Sequence, residues 1–174
     1  AYSPKAIHLA LEAGARIIYH ASYADDAAMD AMVAAKDRFF YAPGPGVSMA
    51  AIEASPPPHI DMSHMKASAK ERMELERRIV PALKARGVRI LIGGDYGFPF
   101  NPHGRNARDL QIFVDHFGYT PLEALNAATA LGGELMDLDV GQVCEGWLAD
   151  LLIVDGDPTT DVSILQDRNR FSMI

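Results

Sequence analysis

Cysteine is nearly absent. Cys144 is the only one in a chain of 174 residues. A lone thiol cannot close an internal disulfide, which suits a reducing compartment, and packing explains it more simply than nucleophilic chemistry. Positive charge is scarce as well: 16 Lys and Arg face 23 Asp and Glu, for a net charge of −7. With no basic cluster, nucleic acid is excluded as a partner. No apolar run approaches the roughly 20 residues needed to cross a bilayer, so no membrane partner is expected. No signal peptide stands at the start, and the cytoplasm is the default compartment, any signal lying upstream of Ala1. Internal repeats and low-complexity tracts are also missing. Apolar residues are plentiful at 49%, enough for a sizeable core in one domain or in a domain plus a fragment of another. The chain opens on Ala1-Tyr2-Ser3-Pro4 and closes on Phe171-Ser172-Met173-Ile174, which reads as the opening of an apolar strand. The expectation is a piece of a longer protein.

The stretch Gly87-Val88-Arg89-Ile90-Leu91-Ile92-Gly93-Gly94-Asp95-Tyr96-Gly97 organises the rest. Its short β-branched run reads as a buried parallel strand. Asp95 is delivered to the carboxyl end of the sheet, the edge where parallel α/β proteins keep their chemistry. Asp95 reads equally as the cap of a turn after the strand.

Ser3 and Pro4 start a helix that Gly14 closes. Residues 15–19 form a strand ending at His20, 24–35 a helix, and 38–42 a second strand stopped by Pro43-Gly44-Pro45-Gly46. Residues 47–68 read as a long connection containing Pro56-Pro57-Pro58, and long loops are usually functional or mobile. A charged helix covers 69–86, with a kink expected at Pro81. Irregular chain runs over 96–105. A segment over 107–117 comes next, then a helix opened by the capping box Thr120-Pro121-Leu122-Glu123. Alternation of this kind means a parallel sheet with right-handed crossovers. After Asp139 the pattern changes to short strands at 140–143 and 149–154, broken by Glu145-Gly146 and Asp155-Gly156 turns.

Two strands end on metal-binding residue types, His20 and Asp95, and imidazole plus carboxylate suits a zinc-type site. A histidine after a strand is also often just hydrogen-bonded, and two ligands are fewer than the about three of a catalytic zinc. His103, on the loop beyond Asp95, is a candidate to touch substrate or a solvent-exposed histidine. His59 and His64 read as surface residues of the long loop, and His8 and His116 as ordinary helix residues. Arg105 and Arg108 can meet an anionic group or be surface charges at the start of a helix. The charge run over 70–78 reads as a solvated helix face.

These residues carry a family resemblance. Ala1-Tyr2-Ser3-Pro4-Lys5-Ala6-Ile7, Ala10-Leu11-Glu12-Ala13-Gly14 and Ile18-Tyr19-His20 resemble the second half of metal-dependent amidohydrolases, in the imidazolonepropionase-like and Xaa-Pro-dipeptidase-like branch. Gly93-Gly94-Asp95 resembles that family's strand-eight aspartate motif, although Gly94 stands where the family more often has Thr. Pro102-His103-Gly104 and Thr120-Pro121-Leu122-Glu123-Ala124-Leu125-Asn126-Ala127-Ala128-Thr129 are similar to the family's segments beyond that motif. Gly141-Gln142-Val143 and the run from Glu145-Gly146-Trp147 to Asp157-Pro158 resemble the family's return to its small β-sandwich.

The resemblance implies an α/β fold: the later strands of a TIM-like (β/α)₈ metal-dependent hydrolase barrel over 1–138, followed by part of a small β-sandwich over 139–174. It implies that His20 matches the strand-six histidine ligand and Asp95 the strand-eight aspartate, both ligand and proton carrier. Tyr2 resembles a substrate-contacting position, and His103 is a second candidate for substrate. The implied cofactor is a divalent metal, Zn²⁺ as one or two ions, whose other ligands would lie upstream of Ala1. The implied activity is hydrolysis of a C–N bond in a small-molecule amide, dipeptide or cyclic amide, through a metal-activated water, by a longer parent chain that is compatible with an oligomer. The alternative is a non-catalytic barrel scaffold or an inactive fragment.

Overall fold

A computed structural model describes residues 1–174. The chain divides into two compact units, Ala1–Asn106 and Ala107–Ile174.

The first unit is built on a parallel pairing. Helix α1 (Pro4–Glu12) starts where Ser3 accepts a hydrogen bond from the Ala6 amide, with Pro4 at the first helical position. Strand β1 (Ile17–Tyr19) pairs in parallel with β2 (Phe40–Ala42) in the register Ile18 to Tyr41, and α2 (Asp26–Ala34) is the crossover. Tyr41 is fully buried at the centre of this sheet. The expected strand before Asp95 is reduced to a single parallel bridge, Tyr41 to Ile90, in which the Tyr41 amide bonds Arg89 and the Leu91 amide bonds Tyr41. The ladder cannot run on: Pro43 follows β2 with no N–H to donate, and Gly44 turns left-handed at φ 72°.

The long connection expected over 47–68 is a second correction. Helix α3 (Pro45–Glu53) fills its first part and α4 (Ser63–Ala85) its last, leaving only 54–62 irregular. Pro45 is not a terminator but the first residue of α3, and Gly44 supplies the left-handed entry to it. Helix α3 packs small residues, Gly46, Ser48, Ala50 and Ala51, and α4 continues through Pro81. His64 therefore lies on a helix, exposed like His59.

In the second unit, α5 (Arg108–Phe117), α6 (Pro121–Ala128) and α7 (Ala130–Met136) follow one another. Phe113 meets Phe117 and Tyr119 edge-on at centroid distances of 5.2 and 5.1 Å, a favourable aromatic geometry. The capping box at Thr120 and Glu123 is formed in both directions. Thr120→Ala is therefore expected to lower stability by about 1 kcal/mol, read from urea denaturation. The strand expected at 140–143 does not form: Val143 is 88% exposed, and Gly141 is left-handed at φ 82°. Close backbone approach takes its place. A methyl on Gly133 would stand 2.4 Å from the Val140 carbonyl oxygen, and one on Gly141 2.3 Å from that of Thr129. Cys144 is exposed on this irregular stretch. Of the strand expected at 149–154, only β3 (Ile153–Val154) forms, antiparallel to β4 (Phe171–Met173). No helix is long and apolar enough to cross a membrane.

Candidate metal-binding and catalytic site

β1 and the bridged segment at Ile90 run in parallel, so the residues that follow them emerge at one end of the sheet. His20 Nε2 lies 3.9 Å from Asp95 Oδ2. Both sit on left-handed backbone, φ 72° and 54°, as does Ala21 at φ 52°. Such conformations are uncommon for residues with a side chain and persist only where the surroundings enforce them.

The enforcement is visible at His20. Its amide donates to the Ala42 carbonyl at 2.9 Å, and its carbonyl accepts from the Tyr41 hydroxyl at 2.7 Å. The Ala21 amide donates to Ala1 at 2.8 Å. The imidazole is stacked on Tyr2, with ring centroids 4.6 Å apart and planes within 7°. At Asp95 the brace is Asn101, buried, whose Nδ2 donates to the carbonyls of Gly94 and Asp95 at 2.9 and 3.1 Å.

A cavity of about 430 Å³ opens at the pair, lined by Tyr19, His20, Ala42, Gly44, Gly93 and Asp95. Gly44 is required here: a methyl on it would stand 3.4 Å from the His20 ring, on a backbone already left-handed. Burial lowers the His20 pKa, opposed by the Asp95 carboxylate and a hydrogen bond to the Pro43 carbonyl. A neutral imidazole held through one nitrogen by a backbone carbonyl is the form that ligates metals. With bonds of about 2.0–2.2 Å each, donors up to about 4 Å apart can reach one ion, so this pair fits half of a zinc-type donor set. No group of three or more His, Cys, Asp or Glu is placed to hold a metal.

The other candidates are arranged less directly. Tyr2 reaches the site through its stack on His20 and is 45% exposed. His103 is exposed and packs toward Gly97, where a methyl would stand 3.4 Å from its Nε2. Arg105 is exposed, its carbonyl accepting from the Tyr96 hydroxyl. Arg108 opens α5 in the second unit.

Within the charge run over 70–78, Glu76 departs from the expected solvated face. Glu76 is 1% exposed, and its Oε1 accepts from the Ser22 hydroxyl at 2.7 Å while Oε2 has no partner. Ser22 is itself fully buried, two residues beyond His20. Burial pushes the Glu76 carboxyl up to about 7, against the opposing pull of Ser22 and Arg72. The signal is present in the sequence. Ala69, Met73, Glu76, Val80 and Leu83 fall at alternating spacings of four and three, the spacing of one helix face, and all five are buried.

The chain is similar to known proteins over most of its length. The amidohydrolase family matches residues 2–173. Ochratoxinase of Aspergillus niger is 32% identical over 92% of this chain and 32% of its own length. The chain thus spans about a third of the length of the curated relatives it matches. The crystal structure of A. niger ochratoxinase superposes with a TM-score of 0.79 at 27% identity, covering 96% of this chain and 38% of that one. A prolidase complexed with N-methylphosphonate-L-proline gives a TM-score of 0.79 at 26% identity, over 98% and 41% of the two chains. A Xaa-Pro dipeptidase with methionine bound in its active site gives 0.74 at 25% identity, over 96% and 40%.

Proposed function

The chain belongs to the amidohydrolase family, and on that premise we propose that it forms the later part of an enzyme that hydrolyses C–N bonds in small molecules: amides, dipeptides or cyclic amides. The observation that carries the reading is the convergence of His20 and Asp95, 3.9 Å apart at one end of a parallel sheet. The named relatives, a prolidase and a Xaa-Pro dipeptidase among them, support a dipeptide or related amide as substrate.

His20 and Asp95 would hold a divalent metal, Zn²⁺ as one or two ions, which when bound brings the pKa of water toward neutrality and polarises a carbonyl. The remaining ligands belong to the portion of such enzymes that this chain does not span. Asp95 takes the proton from the attacking water and passes it to the leaving nitrogen, a transfer that a half-exposed carboxylate at the cavity wall can make. Tyr2 fixes the His20 ring by its stack and presents its exposed edge to substrate. His103 meets the substrate from the loop beyond Asp95. Residues 1–138 are assigned to the barrel and 139–174 to the β-sandwich segment, an assignment supported by the antiparallel pairing of β3 with β4.

The test is metal analysis and hydrolysis by the protein at its natural length, using Xaa-Pro dipeptides, N-acyl amino acids and cyclic amides. Bound Zn²⁺ and amide cleavage that a chelator removes and Zn²⁺ restores are expected. The 174-residue chain alone, with two donors, is expected to hold Zn²⁺ weakly and to turn nothing over. A fully metallated natural-length protein inert on the whole panel would overturn the reading.

A further inference from the structure

Helix α4 carries three glutamates, and only Glu76 faces inward: Glu71 and Glu74 are exposed. Met73, Ile79, Val80 and Leu83 are buried around it, so an apolar residue at 76 would complete that face at no electrostatic cost. Burial instead disfavours the charge of the carboxyl that stands there, and its Oε2 has no partner. A group kept at such a cost calls for a use other than packing.

Its bond to Ser22 shows the use. Glu76 Oε1 accepts from the Ser22 hydroxyl at 2.7 Å, across 54 positions of chain. Ser22 follows His20 by two residues, and between them Ala21 is left-handed at φ 52°, next to His20 at φ 72°. Two consecutive left-handed residues with side chains are held against a backbone cost. Ala42 and Tyr41 hold His20 to the sheet, and Ala1 holds the Ala21 amide. The Tyr2 carbonyl holds the Tyr23 amide at 3.2 Å, and Tyr2 is the ring stacked on His20. Ser22 therefore lies inside the turn that carries both members of the stack, and Glu76 ties that turn to a helix. The mount is itself fixed. One turn earlier in α4, Arg72 Nε donates to the buried Ser48 hydroxyl of α3 at 3.2 Å.

We propose that Glu76 is a positioning residue for the hydrolytic site: through Ser22 it fixes the left-handed turn at His20 and Ala21, and so the direction in which the imidazole is presented beside Asp95. The assignment rests on the hydrolase reading above. Glu76 stands behind the turn and touches neither substrate nor metal. An apolar side chain would fill the same volume without selecting one turn geometry, whereas a hydroxyl-to-carboxyl bond is directional. Groups that orient a ligating histidine account for about 10–100-fold in metal affinity or rate.

The test uses the natural-length protein and three variants. Glu76→Met keeps the volume and removes the acceptor, and Glu76→Gln keeps the acceptor. Ser22→Ala combined with Glu76→Met removes both partners, a change close to neutral for stability because nothing polar stays buried alone. Rates are read at saturating Zn²⁺ on the panel of Xaa-Pro dipeptides, N-acyl amino acids and cyclic amides. In Glu76→Met and in the double variant kcat is expected to fall about 10–100-fold with KM little changed, and the Zn²⁺ dissociation constant to rise by a similar factor. Glu76→Gln is expected to keep most of both. A thermal midpoint near the native one in the double variant separates positioning from folding. The metal-free protein gives an independent readout, the His20 ring-proton NMR signal, moved upfield by the Tyr2 ring and assigned by its loss in His20→Asn. That shift is expected to persist in Glu76→Gln and to be lost in the two variants without the acceptor. A double variant with native kcat, native Zn²⁺ affinity and an unmoved ring signal would overturn the proposal, as would Glu76→Gln losing as much as Glu76→Met. If the native protein cleaves nothing on the panel while ring signal and Zn²⁺ affinity respond as expected, the hydrolase reading fails and the positioning of His20 stands.

Discussion

Glu76→Gln is expected to remove a fall in stability of about 3 kcal/mol that the native protein suffers as pH rises from about 4.5 to 7. The carboxyl of Glu76 titrates near its ordinary value of 4.5 in the unfolded chain and near 7 in the folded one. The folded state binds the extra proton across that window, so stability drops as pH climbs through it. Below pH 4.5 both states are protonated and nothing is lost; above pH 7 the whole penalty is in force. Glutamine keeps the shape and the acceptor for the Ser22 hydroxyl, and carries no charge to desolvate. Its amide nitrogen inherits the unpartnered surroundings of Oε2, so at low pH the variant is expected to be no more stable than the native protein. Urea denaturation between about pH 4 and 8 decides it. Parallel pH profiles for the two proteins would show that water or a counter-charge reaches Glu76 in the fold.

Asp95→Asn is expected to lower kcat of the natural-length enzyme by about 10³-fold while the thermal midpoint barely moves. Asparagine is close to isosteric, and it is one of the few side chains that tolerates the left-handed backbone Asp95 occupies at φ 54°. Asp95 is half exposed, so no buried charge is left without a partner when it is neutralised. What is lost is the ability to take a proton and the charge of one proposed metal donor, so kcat is compared at saturating Zn²⁺. Rate constants within about tenfold of the native enzyme would remove Asp95 from the proton path, and a matching loss of thermal stability would mean that its role is structural.

The sequence is most legible where local chemistry decides the outcome. Ser3-Pro4 and Thr120-Pro121-Leu122-Glu123 specify helix starts through bonds made within four residues, and both form. His20 and Asp95 stand out as residues that follow apolar runs, and the structure brings them together. Sequence and structure part where a local signal is overruled by packing or admits two meanings. Pro45 reads as a stop but is a helix start, because proline ends a strand and opens a helix with equal ease. The segment 140–143 carries valines suited to a strand, but a β-ladder needs a neighbour, and here the backbone turns through Gly141 against Thr129 instead. Glu76 is hidden by charged neighbours: Glu74 and Arg77 are both exposed, and the helical spacing outweighs the composition around it.

Tyr41 has a kinetic consequence. Its backbone joins β1 on one side and Arg89 and Leu91 on the other, and its hydroxyl seats the His20 carbonyl. The imidazole is thus correctly presented only after three segments, spread from Ile17 to Leu91, have been drawn together. Contacts so distant in sequence close late, because the entropy of the intervening chain must be overcome first. A metal ion of the kind proposed, needing His20 in place, would find no partial site on the way to the native state. Were it bound as proposed, it would act as a latch on the finished sheet, slowing escape from the native state, and not as a template that hastens arrival.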